Sequence, residues 1–252
     1  MEKPASAPRP ATDPAPAKWV TDRVSGFDHT VTALLPRGFP AYVRVLHPAH
    51  LRPAGPPGNG RRVEPVTWTR IAEANGRTAH RLMQWPGICG PGGLRARQPG
   101  RYDEPPVESD LPLPVAEILV AVLRRHTTTP RRCWFGMWDG FGRTPEPPHE
   151  AEFEMPARRM WLYEGEIDAG MADFGPGIWH QSPNLWWPSD RAWCVATDID
   201  LESTYLGVSN RGAEELLAHK GIECFPAYET DLVSWLADTL NPQLHQEGRA
   251  MP

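Results

Sequence analysis

Residues 193–202 read Trp-Cys-Val-Ala-Thr-Asp-Ile-Asp-Leu-Glu, and their alternation decides the fold class. Trp193, Val195, Thr197, Ile199 and Leu201 fall on one side of a period of two; Cys194, Ala196, Asp198, Asp200 and Glu202 fall on the other. Successive side chains of a β-strand point to opposite faces, so a single strand is expected over this stretch. Its far end then lines up the carboxylates of Asp198, Asp200 and Glu202 on one face. Three acids in a row repel one another unless they are solvated, paired with arginine or bound to a cation. A hard divalent cation takes such oxygen ligands. The plainer alternative is a strand end emerging into solvent among surface arginines.

Immediately upstream, residues 179–192 read Trp-His-Gln-Ser-Pro-Asn-Leu-Trp-Trp-Pro-Ser-Asp-Arg-Ala. Each tryptophan brings a large apolar body and one N–H that needs a partner, so such a cluster either closes a core or lines a binding site. Trp193 heads the strand and is expected in the core. Trp186 and Trp187, flanked by Asn184 and Pro188, are expected on a loop with at least one ring facing a cleft. The candidate binding set is therefore Trp179, His180, Asn184, Trp186, Trp187 and Arg191, and the candidate cation set is Asp198, Asp200 and Glu202. His180 lies two residues from Ser182, but no Gly-x-Ser-x-Gly elbow surrounds that serine, which favours an ordinary loop histidine.

Outward from this block, the remaining elements are short. Residues 133–138 are apolar on both alternating faces and stop at Asp139-Gly140, the pattern of a buried strand, and a second strand is expected over 159–164. Residues 41–46 fit a strand or a short helix between two prolines, and 222–225 fit another strand. Val115, Ile118, Leu119, Val122 and Leu123 repeat at helical spacing and predict a helix over 112–126, with Arg124, Arg125 and His126 complementing its dipole. Thr67 is expected to cap a helix ended by Asn75-Gly76, Asn210 to cap one running to Gly221, and a last helix is expected over 231–240. Helices and strands come in unequal blocks with no regular βαβ alternation. The expected class is α+β, a mainly antiparallel sheet packed against several short helices with long Pro/Gly-rich loops.

Thirty prolines and 22 glycines among 252 residues explain why those loops are long. Residues 1–17 are expected to be a disordered Pro/Ala-rich tail, 18–242 a single domain and 243–252 a flexible C-terminal tail. A net charge of −5 gives no electrostatic case for nucleic acid, which normally needs a clustered basic face. No apolar run approaches a membrane span and no signal-peptide core is present, so a cytoplasmic location is expected. Cys89, Cys133, Cys194 and Cys224 are widely spaced, which reads as buried thiols and not a zinc site.

The stretches 133–142 (Cys-Trp-Phe-Gly-Met-Trp-Asp-Gly-Phe-Gly) and 182–200 (Ser-Pro-Asn-Leu-Trp-Trp-Pro-Ser-Asp-Arg-Ala-Trp-Cys-Val-Ala-Thr-Asp-Ile-Asp) resemble blocks of a set of uncharacterised actinobacterial proteins. That resemblance covers mainly residues 112–240 and implies an actinobacterial cytoplasmic origin. It carries over no activity and no catalytic residue. The functional expectation is thus a binding or interaction protein with a Trp-lined acidic cleft for a small polar or aromatic ligand or another protein. The alternative is a small divalent-metal-dependent hydrolase or transferase using Asp198, Asp200 and Glu202.

Overall fold

A computed structural model describes residues 7–52, 63–90, 94–141, 150–175 and 180–241. Eleven strands run through them: β1 Arg9–Pro10, β2 Ala41–Leu46, β3 Ala49–Leu51, β4 Glu64–Val66, β5 Cys133–Trp138, β6 Glu152–Met155, β7 Arg158–Gly165, β8 Leu185–Pro188, β9 Cys194–Thr197, β10 Ser203–Val208 and β11 Glu223–Ala227. The helices are α1 Lys18–Thr21, α2 Val31–Leu34, α3 Trp68–Ala74, α4 Trp85–Ile88, α5 Leu113–Leu123 and α6 Asn210–Leu217. The class is α+β. Nine strands form one sheet in the order β1-β7-β5-β8-β9-β10-β2-β11, with β6 sharing the outer edge of β7. Its pairings are antiparallel throughout.

Both faces of this sheet are buried, and period two sorts the residues between them. Phe135 and Met137 of β5, Trp186 of β8, Val195 of β9 and Leu206 of β10 face α5 and α6. Trp134, Trp187, Cys194, Ala196 and Tyr205, one residue out of phase, face α1, α2 and the N-terminal segment. A smaller core forms around Trp68, Trp85 and Tyr102, where α3 and α4 close against the β3–β4 ribbon. Leu119 on α5 is fully buried, as its helical spacing requires. Burial of a leucine of this kind is worth about 2 kcal/mol.

Local chemistry sets the ends of the elements. Thr67 caps α3 through its hydroxyl, which accepts from the Arg70 N–H at 3.3 Å. Asn75 ends that helix and Gly76 follows with φ of 64°. The cap of α6 is Ser209 and not Asn210, because the shorter serine side chain reaches the Gly212 N–H at 3.1 Å. The helix expected over 231–240 is replaced by a single 3-10 turn, Trp235–Ala237. Its neighbours bond elsewhere: the Val31 N–H donates to Asp231 O and the Val233 N–H to His29 O, which consumes the backbone groups that a helix would use.

Part of the stretch expected to be a disordered N-terminal tail is docked on the sheet. Arg9–Pro10 pairs with β7, and Ala11 and Ala17 are buried beside Trp19. Small alanines fit against the sheet, and prolines have little backbone freedom to lose on docking. Residues 1–6 and 243–252 lie outside the described residues. No described helix is long and apolar enough to cross a membrane.

Candidate functional site

The stretch 193–202 is not one strand. The structure folds it into a hairpin in which β9 ends at Thr197, paired with Thr204 of β10. Asp198 makes the turn: its Oδ1 accepts from the Asp200 N–H at 3.0 Å, a side-chain bond that competes with continued sheet pairing. Alternation persists through the turn because Leu201 is buried between the exposed Asp200 and the partly buried Glu202. The three carboxylates therefore sit around a bend instead of along one strand face.

Two of them share one guanidinium. Arg158 opens β7 after the two-residue turn Pro156-Ala157, and its Nη1 donates to Asp198 while Nη2 reaches Asp200 at 3.0 Å. Asp198 is nearly buried in this bridge and Asp200 remains exposed. Burial holds the Arg158 pKa below its ordinary value, opposed by the Asp200 charge. Among the described residues no three His, Cys, Asp or Glu side chains are disposed to hold a metal ion. Arg158 thus bridges two of the three expected cation ligands, Asp198 and Asp200, and Glu202 stands outside that bridge.

Glu202 behaves differently. It forms no ion pair among the described residues, and burial pushes its carboxyl up to about 7, with the Glu108 charge adding to the rise and its own backbone N–H and Arg44 opposing it. Arg44 lies behind it in β2, buried, and donates to Ser203 Oγ at 3.2 Å, Met83 O at 2.8 Å and Gln84 Oε1 at 3.1 Å. Its Cζ also lies over the rings of Trp68 and Tyr205, 5.5 and 5.8 Å from the centroids. Neutral acceptors and ring faces satisfy this guanidinium, which leaves Glu202 without a bonded counter-charge.

Glu202, Glu108, Asp198, Asp200 and Arg158 all face one cavity of about 380 Å³ on the α2 side of the sheet. That volume suits a small organic molecule or a long side chain. Its walls are apolar, with Trp138 from β5, Met155 from β6, Met160 from β7 and Leu34 from α2; Phe27 and Trp235 stand at the mouth. Two buried devices position the acids. Asn184 ties three strands together, accepting from the Trp138 N–H at 3.0 Å and donating to Thr197 O at 3.1 Å. His47 bonds Val107 O at 2.7 Å and Thr204 Oγ1 at 2.9 Å, which pins the chain next to Glu108 against β10. Burial pushes the His47 pKa down to about 4, so the ring is neutral and serves as a brace.

Of the described candidate binding residues, only Asn184 lines this cavity. Trp186 and Trp187 are fully buried in β8, on opposite sheet faces, and the expected cleft-facing loop does not exist. The flanking Pro188 misled: it accepts pairing as the last residue of β8 opposite Cys133, a strand end where no N–H is needed. His180 is held by Asp110, Nδ1 to Oδ2 at 3.0 Å, and Ser182 Oγ accepts from the Leu111 N–H at 2.8 Å, so the two brace a chain crossing and do not bond each other. Arg191, at a left-handed φ of 59° in the β8–β9 turn, stacks on Trp19 away from the cavity. Trp179 lies outside the described residues.

The four cysteines are free, and burial pushes each thiol up, to about 11 for Cys89 and Cys224 and about 12 for Cys133. They stay protonated and unreactive at neutral pH. Phe27, Arg158 and Trp235 went unrecognised in the sequence. The only signal for Arg158 was the general expectation that an acidic row needs an arginine. Comparison with known proteins gives no match to a family model, a curated protein or a solved structure.

Proposed function

We propose that this chain is a binding protein whose acidic, aromatic-walled cavity receives a cationic group carried on an apolar body. One observation carries the reading: the Glu202 carboxyl faces the cavity with no ion-pair partner among the described residues, while neighbouring Asp198 and Asp200 share Arg158. Burying an unpaired carboxylate is unfavourable, and a cation delivered by a ligand removes that penalty. The Trp138 ring and the two methionines supply the surface for the apolar part.

Phenethylammonium is a suitable probe, with phenethyl alcohol as its neutral counterpart. Calorimetric titration is expected to show saturable binding of the ammonium, at least about tenfold tighter than the alcohol, a difference of about 1.4 kcal/mol. Glu202→Gln is expected to abolish that preference. Equal affinity for the two probes, or no binding of either, overturns the reading.

A further inference from the structure

The cavity mouth carries more apolar surface than a small ligand can use. Phe27 is 58% exposed, Leu94 36% and Trp235 46%, and all three line the opening. Leu236, 57% exposed, follows Trp235 in the same 3-10 turn but does not line the cavity. These residues come from three separate stretches of chain. The bonds from the Val31 N–H to Asp231 O and from the Val233 N–H to His29 O hold the Phe27 and Trp235 stretches side by side.

Exposed aromatic and aliphatic side chains gathered round a pocket are costly in water and mark surfaces that another macromolecule covers. A free small cation would sit against the inner walls and leave this collar wet. The interior meanwhile selects a positive group: four carboxylates face it, Arg158 is committed to Asp198 and Asp200, the exposed Arg95 reaches Glu108 only at 4.0 Å, and Glu202 has no ion pair among the described residues.

We propose, resting on the cation-binding reading above, that the natural occupant is a lysine or arginine side chain of a partner protein, whose adjoining apolar residues cover the collar of Phe27, Leu94, Trp235 and Leu236. The charged tip meets Glu202 and Glu108, and the aliphatic stem lies along Met155 and Met160. Long basic side chains bury their stems and pair their heads in this manner. A basic anchor in a pocket, ringed by apolar contacts that exclude water, is how a small interface concentrates its binding energy. An acidic partner is disfavoured by the same carboxylates.

The test is to pan the full chain against a random-peptide phage library and titrate the best peptide beside phenethylammonium. The expected result is enrichment of peptides with a basic residue next to large apolar ones. Leu236→Ser should weaken the peptide by about tenfold or more while leaving phenethylammonium unchanged, because Leu236 lies outside the cavity and the substitution adds no charge. Glu202→Gln should weaken both. Phenethylammonium binding without any enriched basic peptide, or a peptide indifferent to Leu236→Ser, overturns the partner proposal and leaves the cavity reading standing. Failure of phenethylammonium and peptides alike overturns both. Dimerisation of the chain alone through the collar, seen by sedimentation velocity and abolished by Leu236→Ser, overturns the partner proposal in favour of a second copy.

Discussion

Replacing Glu202 with glutamine keeps the shape of the side chain and removes its charge, and the effect on stability should depend on pH in a defined way. The folded carboxyl titrates at about 7, against an ordinary value of 4.5. Its proton is held more tightly in the native state than in the unfolded chain, so the stability it contributes is full below 4.5 and is lost as pH rises through 7. At 1.36 kcal/mol per pKa unit the loss is about 3 kcal/mol. His47 has the opposite sign: a pKa lowered from 6.5 to about 4 means that stability falls as pH drops through that window. His50, lowered chiefly by burial, adds in the same direction. In the wild type the two slopes oppose each other between pH 4.5 and 6.5. Urea unfolding followed by tryptophan fluorescence at about pH 4.5, 6 and 8 should give a nearly flat acid branch for the wild type and a steep one for Glu202→Gln. The variant should match the wild type at the lowest pH and exceed it by about 3 kcal/mol at the highest. A difference that does not change with pH, or a variant less stable than the wild type in alkali, would mean that the native carboxylate is paired and would refute the reasoning.

Other consequences follow from the packing. Trp186→Ala should lose about 4 kcal/mol in urea unfolding, since the ring is fully buried against Phe135 and Trp193; a near-unchanged midpoint would restore the loop-facing position. Asn184→Ala leaves the Trp138 N–H and Thr197 O without their bonds and should cost about 2 kcal/mol, with weaker phenethylammonium binding by calorimetry. Ala157 holds a left-handed φ of 59° in the turn between Met155 and Arg158, so Ala157→Gly should raise the thermal midpoint, by about 1 kcal/mol of stability. Phenethylammonium affinity should decline as pH falls below about 7, because the cation needs the ionised form of Glu202.

The elements most legible in the sequence are those in which one periodicity had no competitor. Residues 133–138 read as a buried strand because both faces are apolar, and β5 lies inside the sheet between β7 and β8. The five apolar residues repeated over 112–126 gave α5, with Leu119 at its buried centre. Misreadings arose where a local signal matched two structures. Alternation across Asp198 suited a strand and a hairpin equally, and the side-chain bond to Asp200 decided it. The apolar spacing of Leu232, Trp235, Leu236 and Leu240 is helical, yet all four side chains are exposed. Asp198 and Asp200 bond Arg158, which comes from a different hairpin some 40 residues away. Long-range pairing of that kind leaves no periodic trace.

The central claim is that the cavity under the β9–β10 turn binds a cation on an apolar body, and a bromine label tests it most directly. Crystals soaked with 4-bromophenethylammonium should show a bromine anomalous peak among Trp138, Met155 and Met160, with the ammonium within hydrogen-bonding reach of Glu202. A peak elsewhere on the surface, or an ammonium directed away from Glu202 in an otherwise occupied cavity, would contradict it.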